Sequence, residues 1–261
     1  MTTADYRTTG LLSEKVILIT GASTGIGADA ARVFAREGAS VMLAARSEDR
    51  LSQLTDEITS NGRRASYVVC DVSSPEDVQR MVDGTVEIYG RLEGAFNNAG
   101  ISRERGAALA DLDEERFDEL VAVNLKGVWL AMRAEIRAML AAAIPGAIVN
   151  TSSVGGLGGG PGLSTYSATK HGVIGLTRSA AHDYGANRIR INAIAPGTTD
   201  TEMISAWRQR EPGISRRLNA MTPLGRGAHP CEVAEAAAWL LSDRASYVSG
   251  AVLPVDGGMM A

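Results

Sequence analysis

Tyr166 and Lys170, in YSATK, are separated by the i, i+4 interval, which on a helix puts both side chains on one face. An ammonium held beside a phenol favours the phenolate, drawing a pKa that starts at about 10 toward working pH. A tyrosine so placed exchanges protons with a carbonyl or alcohol oxygen. Upstream, Ser152 and Ser153 both carry a hydroxyl that could reach the same oxygen. Adjacent strand side chains point to opposite faces, so only one of the two can serve. The glycine loop that follows, GGLGGGPG at 155–162, can bring the Tyr166 helix back alongside.

A second cluster is suited to phosphate. TGASTGIG, with Gly21, Gly25 and Gly27, follows the apolar run VILIT. Glycines there let the backbone approach a pyrophosphate, while the free N–H groups of a helix start face its charge. In such sites an acid commonly ends the next strand, about 20 residues on, and accepts from the adenosine ribose 2′-OH. Here that position is Ala45, followed by Arg46 and Ser47. Nothing repels a 2′-phosphate and a guanidinium fork matches one, so NADP(H) is preferred and NAD(H) is the second choice. Ser47 and Ser23 add hydroxyl donors; Glu48 and Asp49 are competing partners for Arg46.

The elements that must hold these residues alternate. Apolar runs at 16–20, 40–45, 65–70, 92–97, 146–152, 188–195 and 251–255 are separated by helical patterns such as Gly25 to Glu37, Pro75 to Tyr89, Glu114 to Leu140 and Cys231 to Leu241. Several runs are apolar on both faces, as in a parallel sheet covered by helices. The pattern predicts a doubly wound α/β fold with ligands at the carboxyl ends of the strands. Thr198 to Ala228 interrupts it as a long insertion with one short helical pattern, Glu202 to Arg210, and reads as a substrate lid. Gly155, Leu157, Leu163, Met203 and Trp207, from the two irregular regions, are candidate pocket residues.

Composition narrows the ligand to a small molecule. A net charge of -4 without any basic run argues against nucleic acid. No apolar stretch is long enough for a membrane helix and MTTADYRTTG lacks a signal-peptide core, so a cytoplasmic protein is expected. Cys70 and Cys231 form no C-x-x-C, and His171, His182 and His229 lack ligand spacing, so no metal is assigned. The 261 residues read as a single domain, with 1–12 as a flexible extension.

The glycine spacing T-G-x-x-x-G-x-G, with DV at 71–72, NNAG at 97–100, VNLKG around Asn124, SSVGG at 152–156, YSATK at 166–170, NAIAPGTTDT at 192–201 and VSGAVLPVDGG near the end, resembles the short-chain dehydrogenase/reductase family from Leu12 to Gly258. The resemblance implies a seven-stranded Rossmann-type sheet, a nicotinamide cofactor and interconversion of a carbonyl with an alcohol. It selects Ser153 over Ser152 to polarise the substrate oxygen and makes Tyr166 the acid or base. Lys170 is then expected on the nicotinamide ribose, and Asn124 on a relay water. Asn98, Ala99 and Gly100 are implied along the cofactor, Asp71 and Val72 at the adenine, and Ile26 at the pyrophosphate. Pro196, Gly197 and Thr199 are implied at the carboxamide, with Thr201 in the same motif. Many NADP-binding members carry a basic residue where this chain has Thr24. A homotetramer is also implied. A nucleotide-binding regulator and a cofactor-free lyase on this scaffold are the competing readings. The presence of Asn124, Ser153, Tyr166, Lys170 and the nucleotide glycines speaks against both.

Overall fold

Strands that are apolar on both faces need a cover on each side, and the chain supplies it by returning through a helix after almost every strand. The computed structural model describes residues 10–102, 108–210 and 213–261. Its strands are β1 (Val16–Thr20), β2 (Ser40–Ala45), β3 (Ala65–Val69), β4 (Gly94–Asn97), β5 (Gly146–Thr151), β6 (Ile189–Pro196) and β7 (Val252–Val255). They form one parallel sheet of order β3-β2-β1-β4-β5-β6-β7. Every residue of β1, β2, β4 and β5 is buried, whereas the edge strands β3 and β7 are partly exposed.

The helices are α1 (Gly25–Arg36), α2 (Glu48–Ser60), α3 (Pro75–Tyr89), α4 (Glu114–Val121), α5 (Gly127–Ala142), α6 (Ser164–Tyr184), α7 (Glu202–Arg210), α8 (Ile214–Ala220) and α9 (Pro230–Leu241). Side chains alternating along the strands feed two cores. Ile17, Ile19, Val41 and Leu43 pack with Phe34 of α1, Leu51 of α2 and Val233 of α9. Leu18 and Met42, pointing the other way, pack with Met81 of α3, Met139 of α5 and Val173 of α6. Capping is visible in sequence at α3, where Pro75 follows Ser74, whose hydroxyl accepts from Asp77 N at 3.1 Å.

The strand order reverses between β1 and β4, whose last residues, Thr20 and Asn97, are register partners. A crevice outside that point is where ligands bind in open sheets of this kind.

Some expectations shift. The run at 92–97 pairs only from Gly94, and the pattern Glu114 to Leu140 divides into α4, a π-helical turn at Ala122–Lys126 and α5. The 198–228 segment holds a second helix, α8, as well as α7. Residues 1–9 of the expected extension lie outside the described residues. Leu11 and Leu12 belong to the fold: Leu11 N donates to Glu37 Oε2 at 2.9 Å and Leu12 is fully buried. Cys70 is core, its thiol pushed up to about 12, chiefly by burial. Among the described residues no group of three or more His, Cys, Asp or Glu could hold a metal, and no helix is long and apolar enough to cross a membrane.

One polar chain runs through the second core. Asn97 Nδ2 donates to Glu135 Oε2 and to Asn150 Oδ1, both at 3.0 Å, and Asn150 Nδ2 donates to Thr177 Oγ1 at 2.9 Å. All four residues are buried, and burial pushes the Glu135 carboxyl up to about 8. The folded protein therefore keeps this proton between about 4.5 and about 8, where the unfolded chain has lost it, so stability falls as pH rises across that window. Thermal melts across the window should show this decline in the wild type and a flatter profile in Glu135→Gln, which still offers Asn97 an oxygen. Parallel profiles would exclude Glu135 as the source.

Candidate active site

The turn between β1 and α1 is shaped by what its glycines leave out. Gly21 has φ +67°, and a Cβ there would stand 2.8 Å from Ala99 Cα; a Cβ on Gly27 would collide with the Gly21 carbonyl oxygen and lie 2.7 Å from Asn98 Nδ2. The turn is locked to the end of β4. Thr20 Oγ1 accepts from the N–H groups of Asn98 (3.0 Å) and Ala99 (3.1 Å), while Asn98 Nδ2 donates to the carbonyls of Thr20 and Gly21 at 3.3 and 3.4 Å. At the start of α1, Thr24 makes no side-chain cap and no acid stands in the first turn. Its N–H groups, Ile26 included, therefore open on an electropositive cradle, free of acidic side chains in the first turn, that fits a pyrophosphate. Thr201 closes over it: a Cβ on Gly25 would lie 3.0 Å from Thr201 Cγ2.

Beside this cradle ends β2. Ala45 is buried, Arg46 is exposed, and Ser47 is the N-cap of α2, though its hydroxyl caps nothing. Among the described residues Arg46 makes no ion pair with Glu48 or Asp49, so its guanidinium stands uncommitted next to a free hydroxyl. Cys70 N donates to Ala45 O at 2.9 Å and brings Asp71 and Val72 alongside. The Asp71 carboxylate accepts from Ser73 N and Ser73 Oγ, and Val72 packs under Gly127, 3.0 Å from its Cβ position. These two residues shape the wall. One turn along α2, Arg50 pairs with Glu202 of α7 at 2.9 Å, joining α2 to the 198–228 segment.

The proton-transfer candidates meet at the carboxyl ends of β4 and β5. Lys170 Nζ lies 5.7 Å from the Tyr166 ring centroid, as the i, i+4 spacing requires. A Cβ on Gly155 would stand 3.3 Å from Tyr166 Cε1 and 3.5 Å from Ser153 Oγ, so one glycine carries both groups. A Cβ on Gly100 would likewise lie 3.3 Å from Asn124 Oδ1 and 3.5 Å from Lys170 Nζ. The structure thus gathers Asn124, Ser153, Tyr166 and Lys170 around two glycines.

Five hydrogen bonds that sequence reasoning missed fix this group. Ser152 Oγ donates to Lys170 O at 2.9 Å, and Lys170 Nζ donates to Thr151 O at 2.9 Å. Strand end and helix are tied in both directions, and Ser152 is spent on the tie. Ser153, on the opposite face, accepts from Gly155 N at 3.1 Å, which leaves its O–H to donate outward. Asn124 Oδ1 accepts from Ile101 N and its Nδ2 donates to Ile101 O, both at 2.8 Å. It lies in the π-helical turn and joins the loop after β4 to the helix layer. Burial holds the Lys170 ammonium down to about 8, so at neutral pH it is still charged. The signal for the strand-end tie was two hydroxyl residues, Thr151 and Ser152, closing an apolar run.

Around this group the walls are uneven. Pro196 ends β6 and Gly197 follows it, with Gly197 N donating to Val255 O at 3.1 Å and Thr199 Oγ1 to Gly197 O at 3.2 Å. The two ends of the 198–228 segment are zipped, since Asp200 N donates to Ala228 O and Ala228 N to Thr198 O. Leu163 packs on Gly160 and Leu157 closes the turn after Ser153. Met203 and Trp207, 45% and 36% exposed, lie on α7 within the 198–228 segment.

A family model described as enoyl-(acyl carrier protein) reductase matches residues 21–260. A short-chain type dehydrogenase/reductase from Mycobacterium marinum superposes with a TM-score of 0.90, at 34% identity over 96% of this chain and 97% of that one. The chain belongs to the short-chain dehydrogenase/reductase family. It is 50% identical over 252 residues, 95% of this chain and 96% of the relative, to A-factor type gamma-butyrolactone 1′-reductase (1S-forming) of Streptomyces virginiae. A variant of actinorhodin polyketide ketoreductase solved with NADPH superposes with a TM-score of 0.89, at 36% identity over 94% of this chain and 97% of that one. As a short-chain dehydrogenase/reductase, this protein is an oxidoreductase acting on carbonyl or CH–OH groups with an NAD(P)(H) cofactor. The glycine cradle is the part of the fold that fits that dinucleotide.

Proposed function

We propose that the protein is an NADP(H)-dependent reductase of ketones, with Tyr166 as general acid, and that it runs in reverse as an alcohol dehydrogenase. The observation that carries the reading is the buried Lys170 ammonium beside the Tyr166 ring, with Ser153 Oγ on the same glycine. A nicotinamide bound in this site would supply or remove the hydride. The chain's own work is polar. Ser153 donates its hydroxyl to the substrate oxygen, and Tyr166 delivers a proton to that oxygen as negative charge develops. Lys170 holds positive charge beside the Tyr166 ring and offers further N–H donors to a ribose. Asn124 keeps the loop carrying Gly100 and Ile101 in register with it and is the residue proposed to hold a relay water.

Gly21, Ser23, Thr24, Gly25, Ile26 and Gly27 would hold the pyrophosphate, and Asn98 to Gly100 would follow the dinucleotide. Asp71 and Val72 would flank the adenine, and Pro196, Gly197, Thr199 and Thr201 the carboxamide. Arg46 and Ser47, beyond an Ala45 that brings no negative charge, favour the 2′-phosphate. The relative named for a gamma-butyrolactone supports a substrate in which the ketone adjoins a small ring. A panel of ring and chain ketones, and of the matching alcohols, with NADPH, NADH and their oxidised forms tests the reading by nicotinamide absorbance. Turnover with NADPH of ketones that adjoin a small ring is expected; no turnover of any carbonyl would overturn it.

Two further points stay with this reading. Exposed aromatics, Phe117 on α4 with Trp129 on α5 and Trp239 on α9 with Tyr247, support a homotetramer, which the mass in solution decides. A cytoplasmic location is proposed on the sequence grounds given above, and imaging of a tagged chain checks it.

A further inference from the structure

Ser153 opens a tight turn that closes at Gly158. Gly156 N donates to Ser153 O at 2.8 Å, and the N–H groups of Leu157 and Gly158 both donate to Val154 O, at 3.0 and 3.1 Å. Against the far end of this turn lies a side chain from another part of the chain: a Cβ on Gly158 would stand 3.3 Å from Met260 Cε. Met260 is 43% exposed, so the methyl rests on the glycine surface with solvent-facing area to spare.

Exposed methionines are ordinary on protein surfaces; this one is held in place. Asp256 spends both carboxylate oxygens on the backbone that carries it, Oδ1 accepting from Gly258 N at 3.0 Å and Oδ2 from Met260 N at 2.9 Å. Asp256 itself backs onto Gly197, whose Cβ position is 2.8 Å from Asp256 Cα. From the other side the lid leans on the same turn. Leu224 N donates to Gly257 O at 3.2 Å, and Pro223 Cγ is 3.2 Å from the Cβ position of Gly258. Residues 256–260 thus form a bracket between the Ser153 turn and the end of the lid, with a flexible thioether at its tip.

We propose that Met260 is a specificity-determining wall of the substrate cleft, contacting the apolar substituents of the ketone and setting how bulky a ring or chain the enzyme accepts. The inference rests on the reading of Ser153 and Tyr166 as the reacting site. A thioether on three rotatable bonds suits the role, because it adapts to ring substituents without offering a charged or strongly hydrogen-bonding group. No proton or hydride passes through it, so its influence should fall on substrate fit.

The test compares the wild type with Met260→Ala and Met260→Trp on cyclopentanone, cyclohexanone and 2-decalone, together with the ketones that the wild type reduces best. Enlarging the cleft should raise the ratio of kcat/KM for large over small ketones by about tenfold, and filling it should lower the ratio by about as much, the scale of a few methylenes in an apolar pocket. The change should lie mainly in KM, and NADPH affinity by fluorescence titration should stay at the wild-type value. Ratios within twofold of wild type in both variants, or a shift in NADPH affinity in place of the ratio, would overturn the proposal alone. A wild type that reduces no ketone would overturn the reading of the site, and the proposal with it, before any substitution is made.

Discussion

Tyr166→Phe is expected to lower kcat by about a thousandfold while NADPH still binds, the range that loss of a positioned general acid gives. Phenylalanine keeps the ring, so the packing on Gly155 at 3.3 Å and the Lys170 ammonium 5.7 Å from the ring centroid persist. Only the O–H is lost. On the proposed reading Ser153 would still polarise the substrate oxygen in this variant, but developing negative charge would no longer meet a proton donor. Stopped-flow or steady-state turnover gives kcat, and fluorescence titration gives NADPH affinity. Wild-type-like turnover would remove Tyr166 from the chemistry; joint loss of turnover and cofactor binding would point to a collapsed site.

Arg46→Ala is expected to weaken NADPH by roughly ten- to a hundredfold, the worth of a charge-assisted contact to phosphate, and to leave NADH nearly unchanged. The asymmetry is the informative part. Among the described residues Arg46 has no ion partner to orphan, and Ser47 has no cap to lose, so neither nucleotide should suffer from a damaged fold. Ala45→Asp approaches the same question from the other side, because an acid at the end of β2 repels a 2′-phosphate and accepts from a 2′-OH. It should shift preference toward NADH. Equal losses for both nucleotides in Arg46→Ala would defeat the phosphate assignment.

The layered sheet was legible because β1, β2, β4 and β5 are runs of residues buried on both faces, a pattern that water would not allow in an exposed sheet. Their polar members carried a message that the pattern could not decode. Asn97 and Asn150 look out of place in strands until Glu135 of α5 and Thr177 of α6 arrive from elsewhere in the chain to meet them. Partners so distant in sequence leave no local period. The pair Ser152 and Ser153 shows the same limit: alternation says that one hydroxyl faces the site, while only the fold shows that Ser152 is bound to Lys170 O. Helix α8, ISRRLNA, is short and charged and lacks a sustained apolar stripe, so it reads as loop. Met260 belongs to no periodic element at all, and its contact with Gly158 exists only once β7 has brought Asp256 to Gly197.

The double tie between β5 and α6 also has an entropic meaning. A free lysine side chain loses up to about 2 kcal/mol of rotamer freedom when it is ordered. Here Lys170 is buried, with its ammonium on Thr151 O and its own carbonyl on Ser152, so that loss is incurred as the chain folds. Tyr166, one turn away on the same helix, shares the restraint. Ligands meeting this pair find its geometry already chosen, and less of their binding energy is consumed in bringing the phenol and the ammonium to order.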